Sequence, residues 1–282
     1  MSAPPTALAE PQQIANDAGS PVIVFDQVSI SFEGKSVLDE ISFELHRGET
    51  RAIFGVAGSG KSTILKLALG LIKADSGRIT VLGEDITAMH EEDLFALRRR
   101  IGIVFQESAL FDSLDVRDNV AFRLLEEGHA TEDEVEKPVC EALSFVELEN
   151  TIDLFPSELS GGMRRRVAIA RAIITRPEIL LYDSPTGGLD PVTSTTIIEL
   201  MMKQRDVAKT SALMVTHRLQ DAFMMATHRF DVKTNKMELL PHDKRGEILF
   251  AFMLLRDGKI IFDGDLEQLV HSQDPYIQEY IS

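Results

Sequence analysis

Runs of apolar residues divide the chain into predicted strands and helices. Two segments near the N-terminus, VIVFDQVSISF and ISFELHRGETRAIFG, mix β-branched and aromatic residues, which is typical of strands. Turn signals occur at Glu33-Gly34 and Arg47-Gly48. After Gly60 the apolar residues adopt helical spacing, at Ile64, Leu65, Leu67, Ala68 and Leu71. Short strands return at GRITVLG and IGIVFQ. The chain therefore opens with strands, a loop and a helix.

The second half of the pattern predicts a parallel sheet. Residues 91–158 are dominated by helical periodicity and charge, with IGIVF as their one convincing strand. A helix, GGMRRRVAIARAII, then leads into the strand EILLYD, a further helix from about Pro191 and the strand SALMVTH. Strands that alternate with helices require crossover connections, which join parallel strands.

The C-terminal part is predicted to contain a hairpin and a helix. The stretch 231–246 is polar and lacks a clear period, so we expect an irregular surface segment there. It precedes a hairpin, ILFAFMLLRDGKIIFDG, whose turn signal is Asp257-Gly258. A short helix, DLEQLVHSQDPYIQEYI, follows.

Composition indicates a soluble globular domain. The 282 residues, 44% hydrophobic and 26% charged, are enough for one large domain or a domain with a subdomain. No uncharged apolar stretch is long enough to cross a bilayer, and residues 1–20, rich in Ala, Pro and Gln, predict a disordered segment rather than a secretory signal. The single cysteine, Cys140, lies in a helical pattern and is expected to be a buried structural thiol.

The net charge of −16 argues against a nucleic-acid partner, because such binding depends on Lys and Arg that neutralise phosphates. Two arginine triplets, at 98–100 and 164–166, are exceptions to this balance. Both are typical of charge on a helix surface.

The segment GVAGSGKST fits the phosphate-loop pattern G-x-x-x-x-G-K-[ST] and lies between a predicted strand and a predicted helix, as that pattern requires. Glycines let backbone N–H groups converge on phosphate oxygens, and the helix N-terminus adds its positive end. Lys61 can reach the β- and γ-phosphates, and Ser62 can ligate Mg²⁺. The expected nucleotide-binding residues of this segment are Gly55, Gly58, Ser59, Gly60, Lys61, Ser62 and Thr63.

Asp183 is the predicted second half of this site. The apolar run 179–182 delivers its carboxylate to the end of a strand, where it can hold Mg²⁺ through water.

Further motifs resemble those of ABC-type ATPases and occur in that family's order. The segment LSGGMRRRVAIARAI resembles the signature helix, GGLD at 187–190 the D-loop, Gln106 in GIVFQ the Q-loop and His217 in MVTH the switch histidine. Phe32 falls where the family stacks adenine. The resemblance is firm over 21–230. It implies an α/β, P-loop ABC-type nucleotide-binding domain with a mixed sheet core, an N-terminal antiparallel β portion and an inserted helical subdomain.

The start of the signature helix is itself predicted to bind an anion. Free N–H groups and the dipole of a helix that begins at Ser160, Gly161 and Gly162 favour a phosphate. In this family the signature faces the other subunit's nucleotide, and Asp190 belongs to the loop that crosses between subunits. The resemblance thus implies a homodimer that sandwiches two ATP molecules, with Lys61, Gln106, Asp183, position 184 and His217 as catalytic residues and Ser62, Gln106 and Asp183 around Mg²⁺.

Two details resemble the ATPases of the Mla and Mce-associated lipid-transport systems. Met163 replaces the usual glutamine of the signature, and the Q-loop continues as ESALFDSLDVRDNVAF. This resemblance implies phospholipid transport, an integral membrane permease partner, a periplasmic MCE-type component and a peripheral location on the cytoplasmic face of the inner membrane. Expected boundaries are 1–20 for the disordered segment, 21–270 for the ATPase domain with its helical subdomain at 91–158, and 271–282 for a helical tail.

Ser184 departs from the family's pattern, which places Glu there. General-base assistance is typically worth roughly 10²–10⁴ in rate, so its loss should slow hydrolysis and leave ATP binding intact. The chain could be a slow ATPase that positions water with His217 and Gln106, or Glu107 could substitute. Alternatively, it could bind ATP without useful turnover, as a regulator, half of a mixed pair or an engineered trap.

A different transporter class, or a soluble ABC function in DNA repair or translation, is a further alternative. The soluble class usually carries coiled-coil insertions or paired ATPase domains, and the sequence shows neither.

Overall fold

A computed structural model of the chain describes residues 19–126 and 131–281, so almost all of the segment predicted to be disordered, 1–20, lies outside the described residues. The strands are β1 (Pro21–Phe32), β2 (Lys35–His46), β3 (Thr50–Phe54), β4 (Ser76–Val81), β5 (Glu84–Asp85), β6 (Ile101–Val104), β7 (Ile179–Asp183), β8 (Ser211–Val215), β9 (His228–Asp231), β10 (Lys236–Leu239), β11 (Phe250–Arg256) and β12 (Lys259–Gly264). The α-helices are α1 (Lys61–Ala68), α2 (Glu91–Arg98), α3 (Val116–Glu126), α4 (Glu132–Phe145), α5 (Gly161–Ile173), α6 (Pro191–Ala208), α7 (Leu219–Thr227), α8 (Leu266–Val270) and α9 (Pro275–Ile281). Short 3₁₀ helices cover Glu149–Thr151, Pro156–Glu158 and His242–Glu247.

An antiparallel sheet of order β2-β1-β4-β5 forms the N-terminal part of the fold. The predicted turn between β1 and β2 is confirmed: Glu33 and Gly34 both have positive φ, at 52° and 78°. Such angles let a tight turn match the twist of the two strands. The hairpin places β2 beside the phosphate loop, because Val37 and Leu38 are the nearest neighbours of Gly60.

A six-stranded sheet of order β12-β11-β3-β8-β7-β6 lies at the centre. Its strands β11, β3, β8, β7 and β6 pair in parallel, and only β12 among the described strands of this sheet is antiparallel to its neighbour. Successive residues of β7 face different cores: Ile179 and Leu181 join one apolar cluster, and Leu180 and Tyr182 join the other. Burial on both faces explains why this strand reads as an unbroken apolar run. The predicted parallel sheet and the mixed α/β fold class are confirmed.

Helices α3, α4 and α5 pack together on one side of the central sheet and share the cluster that includes Val120, Val139 and Val167. The intervening strand β6 pairs with β7, so it belongs to the central sheet although it lies within the range 91–158. The end of β6 carries the chain directly toward Gln106.

The prediction of an irregular segment at 231–246 was wrong. Strands β9 and β10 form an antiparallel ladder from Asp231 and Lys236 to His228 and Leu239, and a 3₁₀ helix follows. The turn is closed by Asp231, whose carboxylate accepts bonds from the Lys233 backbone N–H at 2.9 Å and the Thr234 hydroxyl at 3.0 Å. Each strand has only 4 residues, too few for a clear period of two; β9 carries the single buried apolar residue Phe230, and β10 is largely exposed.

The expectation of a buried thiol at Cys140 was also wrong, because this cysteine is exposed. Val135, Val139 and Leu143 of α4, spaced by four, are buried together with Ala142 and form one face of the helix. Each residue along a helix rotates the side-chain direction by about 100°. Cys140 follows the buried Val139 and therefore points away from the buried face. The predicted single C-terminal helix is divided into α8 and α9 before Pro275.

None of the helices in the described ranges combines the length and the apolar composition needed to cross a bilayer.

Gly102 fixes how closely β6 approaches α5. A Cβ at this position would lie 2.4 Å from the carbonyl oxygen of Ala172 and 2.6 Å from Leu180 Cδ2. We therefore expect Gly102→Ala to lower the free energy of unfolding by about 1–3 kcal/mol, since a packed backbone must shift. Urea denaturation measures this value. Gly246→Ala is the control because its Cβ would meet open space; equal losses in the two variants would contradict the steric explanation.

Candidate nucleotide site

The phosphate loop connects the end of β3 at Phe54 to the start of α1 at Lys61. Gly55, Gly58 and Gly60 have φ values of 147°, 77° and 98°, which disfavour any residue with a side chain. Space is limiting as well: a Cβ on Gly55 would lie 2.2 Å from the Leu255 carbonyl oxygen, and one on Gly60 would lie 2.6 Å from Leu38 Cδ2. The glycines therefore allow a loop that is wedged against β2 and β11.

The start of α1 presents unpaired donors. The first N–H groups of a helix, here those of Lys61, Ser62 and Thr63, have no carbonyl one turn earlier within the helix. Gly60 occupies the N-cap and provides no side-chain hydrogen bond to them. These donors and the positive end of the helix dipole fit a phosphate group.

Lys61 is bent back over the loop. Its ammonium donates to the carbonyl oxygens of Gly55 at 2.9 Å and Val56 at 2.7 Å, and lies 3.3 Å from the Ser59 hydroxyl. The residue is only 4% exposed. Burial lowers the pKa of Lys61, and the negative charge of Asp183 partly opposes that shift. These hydrogen-bond partners are neutral, so the cation retains its attraction for an anion that enters the loop.

Ser62 and Asp183 bring two oxygen donors together. The Ser62 hydroxyl lies 3.2 Å from Asp183 Oδ1, although the two residues are 121 positions apart. Hydroxyl and carboxylate oxygens are ligands that Mg²⁺ accepts in combination with water and substrate phosphates. The donor set therefore fits the metal predicted from the sequence.

Ser184 is held firmly by its backbone. Its N–H donates to the Val215 carbonyl at 2.8 Å, and its own carbonyl accepts from the Gly187 N–H at 2.9 Å and from Arg165 Nη1 at 3.1 Å. The residue has φ of 48° and is 5% exposed. Its hydroxyl reaches only Asp183 Oδ1, at 3.5 Å. Position 184 thus has a fixed main chain and a short neutral side chain.

Arg165 is a site residue that the sequence interpretation missed. It was assigned to a helix surface, yet it is 4% exposed and its guanidinium donates to four carbonyl oxygens: Phe105 at 3.3 Å, Ser184 at 3.1 Å, Gly187 at 3.4 Å and Gln106. It therefore ties the segment after β6 to the segment after β7. Burial lowers its pKa, and Asp183 opposes that shift. The available signal was its helical register with the buried residues Ala168, Ile169 and Ala172.

The other predicted residues lie around this centre. Gln106 is exposed and its Cγ would lie 3.6 Å from a Cβ on Gly187, so the Q-loop residue borders the segment after β7. His217 follows β8 and lies close enough to Gly55, Lys61 and Asp183 for each of them to influence its pKa. Phe32 is 47% exposed at the end of β1, where a flat ligand could stack on it. Glu107 is exposed and has no hydrogen bond or ion pair to Asp183, Ser184 or His217 within the described residues.

The signature residues lie apart from the phosphate loop. Ser160 is the N-cap of α5 and accepts a hydrogen bond from the Met163 N–H at 3.2 Å, and Ser160 and Gly161 are exposed. Asp190 caps α6 by accepting from the N–H groups of Val192 and Thr193, both at 3.0 Å. The two helix starts meet where a Cβ on Gly162 would lie 2.4 Å from Thr193 Cγ2. No hydrogen bond among the described residues joins 160–162 to the phosphate loop.

Comparison with known proteins identifies the family. Residues 38–187, more than half of the chain, match the profile of the family described as ABC transporter. The chain belongs to this ABC transporter family. Its domain is an ABC-type ATPase domain, and the predicted nucleotide-binding and ATPase classes are confirmed.

Individual ABC relatives match over most of the chain. The intermembrane phospholipid transport system ATP-binding protein MlaF of Escherichia coli K12 is 31% identical, over 96% of this chain and 90% of that protein. The chloroplastic protein TRIGALACTOSYLDIACYLGLYCEROL 3 of Arabidopsis thaliana is 34% identical, over 89% of this chain and 70% of that protein. A solved dimeric structure of a post-hydrolysis state of the ATP-binding cassette MJ0796, bound to ADP and Pi, is 28% identical with a TM-score of 0.71. This match covers 86% of this chain and 98% of that one.

The pKa of His217 tests the electrostatics of this ABC site. Desolvation of the imidazole and the positive charge of Lys61 lower the pKa of His217 below 6.5, while Asp183 and the Gly55 backbone oppose the shift. We expect NMR titration of the nucleotide-free protein to find a value under 6.5, so the ring is neutral at pH 7. In Lys61→Met the value should rise, because one repulsive charge is removed.

A His217→Gln variant assigns the resonance, and the remaining histidines are the internal control. An unchanged His217 pKa in Lys61→Met would show that the two groups do not interact.

Proposed function

We propose that this chain is the ATP-binding subunit of a transporter that moves phospholipid through a membrane permease, with slow ATP hydrolysis because Ser184 replaces the usual Glu. The observation that carries the nucleotide part is the 3.2 Å contact of Ser62 with Asp183 beside the buried ammonium of Lys61. This contact combines a phosphate cradle with a hard-oxygen metal site.

The residues divide the work of binding. The N–H groups at the start of α1 and the Lys61 ammonium would hold the β- and γ-phosphates, and Phe32 would stack on adenine. Ser62, Asp183 and Gln106 would hold Mg²⁺. When bound, the ion neutralises the negative charge that the phosphate oxygens share during transfer.

Slow turnover follows from the chemistry at position 184. A serine hydroxyl is a poor base at neutral pH, and Glu107, which is exposed, has no hydrogen bond or ion pair to Asp183, Ser184 or His217 in the described part of the chain. His217 and Gln106 are left to position the attacking water. Phosphoryl transfer depends mainly on positioning and electrostatic stabilisation, so the remaining residues can support residual hydrolysis.

The exposed signature supports a shared site. Ser160 and Gly161 present the start of α5 to solvent, away from the phosphate loop of their own chain. A second copy of the chain could place its nucleotide there, so that ATP would be bound between the two subunits and stabilise the dimer. The dimeric relative bound to ADP and Pi supports this arrangement.

The lipid and membrane assignments rest on relatives. The phospholipid transport protein MlaF matches nearly the whole chain, so we assign this chain a peripheral place on the cytoplasmic face of the inner membrane. Its proposed partners are a permease and a periplasmic MCE-type component.

Restoring the carboxylate tests the proposal for Ser184. We expect Ser184→Glu to raise ATP turnover by roughly 10²–10⁴-fold, because a general base is supplied where the main chain is already fixed. Steady-state phosphate release measures the rate. Lys61→Ala is the control and should abolish turnover by weakening the hold on the phosphates.

Robust wild-type turnover with no gain in Ser184→Glu would contradict the slow-ATPase proposal and favour a substitute base. Glu107→Gln would then test that candidate.

Reconstitution tests the transport assignment. The chain should co-purify with an integral membrane protein, and the complex in proteoliposomes should move a fluorescent phospholipid when Mg²⁺ and ATP are supplied. Complexes that contain Lys61→Ala provide the matched control. Co-purification with ribosomes or DNA, or transport of a water-soluble solute instead of lipid, would overturn the assignment.

A further inference from the structure

The C-terminal helix contacts the phosphate loop directly. The backbone N–H of Gly55, the first residue of the loop, donates a hydrogen bond to the Tyr280 hydroxyl at 3.1 Å. The two residues are 225 positions apart. Ladder pairing of β3 with β11 runs as far as Phe54 and Leu254, so this tyrosine supplies a partner just beyond the last ladder pair.

Gly55 also contacts the nucleotide site through its carbonyl, which belongs to the next peptide group. This carbonyl accepts from Lys61 Nζ at 2.9 Å, and His217 lies close enough to the Gly55 backbone to be influenced by it. One residue therefore connects Tyr280 on one side with Lys61 on the other. A rotation of the Gly55 backbone would disturb the hydrogen bond that holds the Lys61 ammonium.

The surroundings give the hydroxyl a fixed place. Ile277, on the same helix as Tyr280, is 2% exposed and belongs to the larger apolar cluster. The Tyr280 ring lies 5.5 Å from the Phe54 ring and 6.2 Å from the Tyr276 ring, centroid to centroid. Arg256 covers the Tyr276 ring at 4.1 Å. Packing thus orients α9, and the hydroxyl adds a polar contact to the loop.

Gly55 depends on that contact because it is buried and has little room to turn. The carbonyl of Leu255 fills the space on one side of its Cα. Without the hydroxyl, the N–H would be a buried donor with no partner, which is costly for that loop conformation.

We infer that Tyr280 is a positioning residue for the phosphate loop: its hydroxyl holds the Gly55 N–H, and through the backbone of Gly55 it couples the docking of α9 to nucleotide binding. The inference rests on the proposed function in one respect, namely that this loop binds ATP. Coupling between two equilibria is reciprocal. Nucleotide in the loop therefore stabilises the docked α9 by the same factor by which docked α9 strengthens nucleotide binding.

Tyr280→Phe isolates the hydroxyl, since the ring and its packing remain. We expect the dissociation constant for a fluorescent ATP analogue to rise roughly 2- to 10-fold, the range for one neutral hydrogen bond. Tyr276→Phe is the matched control: it also removes a hydroxyl from α9, and the described structure shows no hydrogen bond of that hydroxyl to the loop. Its affinity should stay within about twofold of the wild-type value, as expected for a surface change.

Hydrogen exchange gives the reciprocal readout on the full chain. ATP should slow exchange of the amides in 277–281 in the wild type and in Tyr276→Phe, and this slowing should be reduced in Tyr280→Phe. The melting temperature without nucleotide separates a structural role from a positioning role: a purely structural tyrosine would lower it and leave nucleotide affinity unchanged.

Wild-type affinity in Tyr280→Phe, or equal losses in both tyrosine variants, would overturn the inference. Failure of the proposed function looks different, because then the wild type itself would not bind the ATP analogue and Lys61→Ala would change nothing.

Discussion

The register of three parallel strands is the constraint on which the rest of the structure depends. Ile53 pairs with Val215, and Val215 pairs with Asp183, so β3, β8 and β7 end at the same level of the sheet. The carboxyl ends of parallel strands form the edge at which ligands bind in open α/β sheets. Backbone hydrogen bonds between these strands thus bring the phosphate loop, Asp183 and His217 to the same edge.

The groups gathered at that edge also influence one another's pKa values. Burial lowers the pKa of both Lys61 and His217, and Asp183 lies close enough to oppose that shift in each, while the Lys61 ammonium donates to the Gly55 carbonyl. The lysine can therefore be held beneath neutral carbonyls without a direct ion pair. A bound phosphate would supply the negative charge that the Lys61 ammonium lacks.

At Ser184 the contacts that fix the main chain are independent of the chemistry of the side chain. Arg165, Val215 and Gly187 hold its backbone, and none of these contacts involves its side chain. The identity of residue 184 can therefore change the chemical step with little effect on the loop that carries it. This separation would explain how the proposed slow ATPase can keep an intact binding site.

Much of the prediction from the sequence depended on patterns formed by residues close together in the chain. The phosphate loop, the β7 strand with Asp183 and the two hairpin turns were readable because each depends on residues close in sequence. The hairpin at 228–239 was missed because each of its strands has only 4 residues. Cys140 was expected to be buried, but it lies one residue beyond the buried Val139 and therefore points away from the core. Arg165 resembled surface charge, since its carbonyl partners lie on two other loops.

The sequence by itself determined the family, the nucleotide-site motifs and the absence of a carboxylate at 184, because these are properties of residue type and short spacing. Only the tertiary structure decided that Arg165 is buried beneath the site and that Tyr280 reaches Gly55 across 225 residues. Contacts of this kind depend on how sheet and helices pack, and no periodicity along the chain records which distant backbone group a buried side chain will meet.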